Sequence, residues 1–390
     1  MPLRDSYVFW NHKGGVGKTT QTFLVSTEYA NRHPDQEILL IDLCPRANLS
    51  MALSTSQRNI PAENTISSYL HKVTNLKPLS VVDPRNFLIK VNDFNENIPE
   101  NVSLLRGDPS LELMASSLEQ KRLKEISKDS VVSYNPWVYV TSCVRYFIEG
   151  YGNMRGVATD DKDWVVFIDT DTSFSIYTQM AIVAANQLII PTNADDFSRE
   201  AFHSLLWLVY GVTLDGGPRE FVDRRVTFID KVEIFDIYLP KIDLVIHNRQ
   251  TRYNKQPTKA CCLMARSISE VVVSAYKLHP SLFQPPEQKR RLVSDDEIAE
   301  YYCVDVQDFH TVGIAALHTG CPLANLQIYP GMEIPMLRNE SVSLHRYQIG
   351  DYWTSLQELV RRLCLHSHFY CECRRTRALD CTGHLHLNQP

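Results

Sequence analysis

Eight residues near the start of the chain have the types and spacing to hold a phosphate chain: Lys13-Gly14-Gly15-Val16-Gly17-Lys18-Thr19-Thr20. Glycines let the backbone approach phosphate oxygens and turn its N–H groups inward. The motif lies between an apolar, β-rich run, Ser6 to Trp10, and a helical stretch from about Thr19 to Arg32. A helix start adds its positive end at the same place. Lys18 is placed to reach the β- and γ-phosphates, and Thr19 to hold Mg²⁺. The usual loop pattern carries a glycine five residues before Gly17, where this chain has His12. A second lysine, Lys13, precedes the glycines instead.

Two carboxylates end buried apolar runs. Asp42 follows Ile38-Leu39-Leu40-Ile41, and Asp169 follows Val165-Val166-Phe167-Ile168. Alone, an aspartate at a strand end is a cap or turn residue. Together with a phosphate loop in this order, Asp169 is expected to hold Mg²⁺ directly or through water. Asp171 adds a carboxylate where the strand leaves the sheet, and its plainer reading is a solvated turn.

The elements that must position these groups alternate. Runs at Ser6–Trp10, Ile38–Ile41, Val102–Leu105, Val165–Ile168, Gln187–Ile190 and Asp243–Ile246 are apolar and strand-sized. Helical stretches fit between them, at Ser110–Lys124, Ser175–Ala185 and Ser198–Tyr210. Continuous apolar runs suit strands buried on both faces of a parallel sheet. The expected fold is therefore α/β: a doubly wound, mostly parallel sheet with helices on both faces, P-loop NTPase-like. Residues 54–100, 126–162, 211–240 and 285–310 have patchy hydrophobicity and read as insertions. Residues 1–363 read as one domain, and residues 364–390 as a flexible Cys/His-rich tail.

Composition sets the outer bounds. The chain has 390 residues, 44% of them hydrophobic and 22% charged, which excludes a disordered or collagenous protein. The net charge of −5 (40 basic against 45 acidic residues) excludes a general polycation, so any nucleic-acid contact must be a local patch. The N-terminus lacks the apolar core of a secretion signal, and no apolar run approaches a membrane span of about 20 residues. With ten scattered cysteines, a reduced cytoplasmic compartment with free thiols is expected.

The loop KGGVGKTT resembles the deviant Walker A motif of the ParA/MinD family of ATPases. The likeness continues through ILLIDLCPRANLS (38–50), similar to that family's D-x-D-P-Q-G-N, and VSLLRGDPSLELMASSL (102–118). It runs on through VVFIDTDTSFS (165–175), QLIIPTNADDFSREAFHSLL (187–206), KIDLVIHNRQTR (241–252) and IPMLRNESVSLHRY (334–347). It covers about two-thirds of the chain and lies nearer ParA than MinD. The resemblance implies ATP and Mg²⁺ as ligands, a homodimer formed on ATP, and a stimulating partner protein. It implies that Lys13 reaches across the dimer to the partner's phosphates, that Asn248 recognises adenine, and that a cargo such as DNA is positioned. Non-specific DNA contact then falls to Arg249, Arg252 and Lys255, with Lys259, Arg266 and Lys289-Arg290-Arg291 nearby. The plain reading of these charges is a solvated face.

The chain departs from that pattern at Cys44. The family carries its water-orienting aspartate there, and a thiol is a poor substitute. The catalytic set therefore reduces to Lys13, Asp42 and Asp171, with hydrolysis expected to be slow. Two other readings remain: a non-hydrolysing ATP-dependent scaffold, and a MinD-like membrane-surface organiser using the helical stripe Tyr352, Trp353, Leu356, Leu359, Val360 and Leu363. A superfamily ligase fits less well, because such enzymes lack the two-lysine loop. The default for the stripe is packing on the sheet. Cys371, Cys373, Cys381, His384 and His386 are metal-type ligands, but their spacing matches no standard zinc finger.

Overall fold

A computed structural model describes residues 3–54, 60–75, 82–124, 135–155, 162–214, 227–250, 252–253, 256–286, 291–326, 333–335, 341–344 and 346–366. The main strands are β1 (Leu3–Phe9), β2 (Glu37–Asp42), β3 (Ile89–Lys90), β4 (Val102–Leu105), β5 (Trp164–Asp169), β6 (Gln187–Asn193) and β7 (Lys241–Gln250). A short pair follows, β8 (Arg252–Tyr253) with β9 (Gln256–Pro257), and then β10 (Cys303–Gln307). A second short pair joins β11 (Glu333–Pro335) to β12 (Ser341–Ser343). The main sheet has eight strands in the order β10-β7-β6-β1-β5-β2-β4-β3. All its neighbours are parallel except β3, which runs antiparallel to β4 at the edge. This is the doubly wound fold that the alternating pattern predicts.

Central strands are buried on both faces, and their side chains alternate between two cores. Val8, Trp10, Leu39, Ile41, Val166 and Ile168 join one, while Tyr7, Phe9, Leu40 and Phe167 join the other. The chain lays α1 (Lys18–Arg32) and α2 (Asn48–Leu53) on the second face. It then covers the first face with α3 (Ile66–Asn75), α4 (Ser110–Arg122), α5 (Pro136–Thr141), α6 (Cys143–Arg155) and α7 (Ile176–Ala184). The same face takes α8 (Asp196–Tyr210), α9 (Phe228–Ile234), α10 (Lys259–Leu278) and α11 (Asp295–Tyr302). Finally α12 (His310–Thr319), α13 (Leu323–Leu326) and α14 (Arg346–His366) return to the second.

The stretches expected as insertions carry working parts of this fold. Residues 54–100 supply α3 and β3, residues 126–162 supply α5 and α6, and residues 211–240 supply α9. Residues 285–310 supply α11 and the edge strand β10. Edge position explains why β10 escapes the sequence pattern: only Val304 and Val306 turn inward, so no continuous apolar run forms. The α14 stripe packs on the sheet, with Tyr352, Leu356, Leu359, Val360 and Leu363 all buried in the second core. Among the described residues no helix is long and apolar enough to cross a membrane. No disulfide joins the described cysteines.

Two buried histidines give the fold an acid sensitivity. His33 packs on Tyr29 with ring centroids 4.4 Å apart, and His247 lies between Thr192 Oγ1 (3.1 Å) and Ser269 Oγ (2.9 Å). Burial pushes both down to about 4. An unfolded histidine titrates near 6.5, so the neutral rings stabilise the fold fully above that pH. The contribution is lost as pH falls from about 6.5 towards 4, by at most about 3 kcal/mol per histidine. Urea midpoints should therefore drop steeply between pH 7 and 5, and His247→Gln should flatten the drop. An unchanged slope in that variant assigns the acid sensitivity elsewhere.

Candidate nucleotide-binding site

Parallel register brings the C-terminal ends of the central strands together. Phe9 and Asp42 both pair with Asp169, and Asn193 pairs with Asn248. The crevice lies where α1 leaves β1 towards β2 while β6 lies on the opposite side, the usual ligand position in an open α/β sheet. The turn from β1 into α1 is the glycine loop. Gly15 and Gly17 have φ of +71° and +86°, in the left-handed region that side chains disfavour. Lys18 Nζ crosses under the loop and donates to the carbonyls of Asn11 and Lys13, both at 3.1 Å. Burial pushes its pKa down to about 8, against the pull of Asp169 and Asp171.

Thr19, at the start of α1, donates to Asp169 Oδ2 at 2.8 Å, and Thr22, one turn on, to Oδ1 at 3.3 Å. Asp169 is fully buried, and burial together with the Asp42 charge raises its pKa to about 8. A hydroxyl and a carboxylate at this distance form the hard oxygen pair that Mg²⁺ takes, and a dication here relieves the carboxylate repulsion. The donor set fits the metal that the loop implies.

A family model described as an AAA domain matches residues 6–135, from β1 past the end of α4. Among solved structures, apo McdA from Cyanothece gives a TM-score of 0.57 at 16% identity, covering 92% of this chain and 99% of that one. An ATP complex of a Cyanothece McdA variant gives 0.54 at 15% identity, with 93% and 97% covered. The chain shares the fold of these McdA structures, a doubly wound, mostly parallel sheet with helices on both faces. No curated protein matches its sequence.

Within this fold, the loop after β2 is where the chain departs from the pattern its sequence resembles. Asp42, expected as a catalytic carboxylate, has both oxygens engaged by its own loop. Oδ1 accepts from the N–H of Cys44 (3.0 Å), and Oδ2 from the N–H and hydroxyl of Ser50 (2.9 and 2.7 Å). Asp42 therefore braces the loop. Gly107 closes against this brace: a Cβ there would lie 2.9 Å from Asp42 Cγ and 3.0 Å from two carbonyl oxygens. The Cys44 side chain is buried, and burial pushes its thiol up to about 11. A neutral thiol cannot serve as a base there.

Asp171 is not a bare turn residue. It pairs with Arg46 across the mouth of the site at 2.5 Å. Burial pushes its carboxyl up, but the Thr172 N–H and the Arg46 guanidinium outweigh this and hold it below the usual range. Lys13 points away from Lys18 and forms an ion pair with Asp195, with Ser198 Oγ at 3.3 Å and the exposed Phe197 ring beside it. Asp195 is also the N-cap of α8, accepting from the N–H of Ser198 at 2.9 Å.

The structure places Asn248 behind the loop, not at its mouth. Its amide donates to Val16 O and accepts from Gln21 Nε2, both at 3.0 Å, and the side chain is buried. In this arrangement it pins the glycine loop to β7. Arg249 lies one residue before the end of β7 and Arg252 opens β8, but their side chains, and all of Lys255, Lys289 and Arg290, lie outside the described residues. So do Cys371, Cys373, Cys381, His384 and His386. Four functional neighbours escape sequence reasoning: Arg46, Ser50, Gly107 and Asp195. Only Asp195 carries a local signal, an aspartate three residues before Ser198 at a helix start.

Proposed function

We propose that the protein is a ParA-like, ATP-dependent switch that positions DNA or another cargo. The observation that carries the reading is the Lys18–Thr19–Asp169 constellation at the strand ends, with a second lysine, Lys13, opening the loop. The fold neighbour from Cyanothece described as an ATP complex supports ATP as the nucleotide. Gly14, Gly15, Val16 and Gly17 offer backbone N–H groups to the phosphates, with Thr20 the third residue of α1. Thr19 and Asp169 hold Mg²⁺, which screens charge on the phosphate oxygens. Lys18 binds the β- and γ-oxygens. Lys13 leaves Asp195 and meets the phosphates of a second copy, closing a nucleotide-sandwich homodimer. Arg249, Arg252 and Lys255 then contact DNA phosphates without sequence preference, a contact that weakens steeply with salt.

Hydrolysis is slow in this reading, because a neutral Cys44 stands where the pattern carries its water-orienting aspartate. A partner protein accelerates it and reopens the dimer. The same Cys44 favours one further reading, an ATP-dependent scaffold that never turns over. Phosphate-release assays with and without DNA separate the two.

Light scattering tests the switch. With Mg²⁺ and the slowly hydrolysed analogue AMPPNP, the wild-type mass should double, while Lys13→Ala should remain monomeric with unchanged helicity. A Lys13→Ala protein that dimerises as the parent does removes Lys13 from the mechanism. Failure of nucleotide-loaded wild type to retain long duplex DNA at low salt redirects the search to another cargo.

A further inference from the structure

Arg46 stands at the tip of a fixed turn. The Ala47 N–H bonds Cys44 O at 2.9 Å, Ala47 takes a left-handed φ of +51°, and Asp42 braces both ends of the segment through Cys44 and Ser50. The turn hangs from β2, whose neighbour β5 ends at Asp169. Asp171, two residues past that end, is where the guanidinium rests. The Arg46 and Asp171 side chains are 65% and 23% exposed. A solvated pair of this kind contributes little to stability, so the contact is easily exchanged.

The surroundings say what it exchanges for. Asp169 marks the metal position beside Thr19, and Asp171 and Arg46 lie outward of it, over the start of the loop. Thr172, next in the chain, would lie 3.6 Å from a Cβ at Gly14. A phosphate chain cradled by the glycine loop and the α1 N-terminus would have this space open to its terminal group. Guanidinium binds phosphate oxygens in a bidentate fork, and charge-assisted bonds of that type are about twice as strong as neutral ones. The D-x-D-P-Q-G-N pattern carries glutamine at the position of Arg46 and aspartate at that of Cys44. In one loop, this chain has lost an anion and gained a cation, both changes favouring a more highly charged phosphate group.

We propose that Arg46 reads the terminal phosphate of a nucleoside triphosphate: it leaves Asp171 for the γ-phosphate oxygens and makes the site prefer triphosphate over diphosphate. This rests on the nucleotide-binding reading of the loop. Asp171 acts as the resting partner that holds the guanidinium at the mouth of the site until nucleotide binds.

Equilibrium titrations of the full-length chain with fluorescent mant-AMPPNP and mant-ADP, in Mg²⁺, test this. Arg46→Gln should weaken mant-AMPPNP about tenfold and leave mant-ADP within twofold. Asp171→Asn, which removes the competing anion, should tighten mant-AMPPNP two- to threefold without affecting mant-ADP. Arg46 is exposed, so both variants should keep the parent's circular dichroism and melting temperature. Equal weakening of both nucleotides by Arg46→Gln, or no change in either, overturns the proposal while leaving the loop assignment standing. Wild type that binds neither nucleotide overturns the nucleotide reading and this inference with it. An Asp171→Asn protein that loses triphosphate affinity overturns the resting-partner role.

Discussion

Lys18→Ala should lower affinity for a fluorescent ATP analogue by at least about a hundredfold, because a charge-assisted contact to phosphate disappears from a desolvated site. Lys18 is the cation already threaded beneath the loop, tied to Asn11 O and Lys13 O and only 7% exposed. Its removal also takes away the cation that offsets the Asp169 and Asp171 charges. The fold should survive, since the two lost bonds are offset by relief of a buried cation. Unchanged circular dichroism with lost binding is the expected pair of results. Undiminished affinity would show that the loop does not bind phosphate.

The second large effect concerns the loop's attachment. Gly17→Ala should destabilise the protein by about 3 kcal/mol or more, from two separable causes. One is backbone strain: φ is +86°, where a side chain costs about 1–2 kcal/mol. The other is collision, because the new Cβ would lie 2.2 Å from Asn248 Nδ2. Pushing Asn248 aside strips Val16 O and Gln21 Nε2 of its amide. Urea unfolding measures the total. In the double variant Gly17→Ala/Asn248→Ala the collision is gone and the strain remains. The double variant should therefore be less unstable than the sum of the two single changes. Strict additivity would mean that the two residues do not meet.

The phosphate loop, Asp169 and the alternation of strands and helices were legible in the sequence because each is local. A glycine loop needs its glycines in succession, and a central parallel strand needs an unbroken apolar run. What escaped is tertiary. Nothing near Arg46 in sequence announces that Asp171 will face it, because that contact depends on β2 and β5 lying side by side. Ser50 looks like any helix serine until Asp42 bonds its N–H and hydroxyl. Gly107 is unremarkable until β4 brings it against the Asp42 loop. Asn248 reads as a loop residue, yet lies behind the glycine turn because β7 follows β6 in register. Helices α5 and α6 were hidden by aromatic and β-branched residues such as Trp137, Val138, Tyr139 and Val140, which carry weak helical preference.

The strand order has a consequence for how the chain acquires this site during synthesis. β1 and β2 are successive in sequence but are not neighbours, because β5 lies between them. Residues 6–135 therefore lack the strand that joins their two halves, and a fragment ending there leaves the inner edges of β1 and β2 unpaired. The glycine loop emerges first from the ribosome, while the residue that pins it, Asn248, follows 230 positions after Lys18. At about 5–20 residues per second, the loop waits roughly 10–50 s for its last anchor. For the earlier part of that interval, until β5 arrives, two hydrophobic parallel strands stand with open edges, an arrangement prone to mispairing.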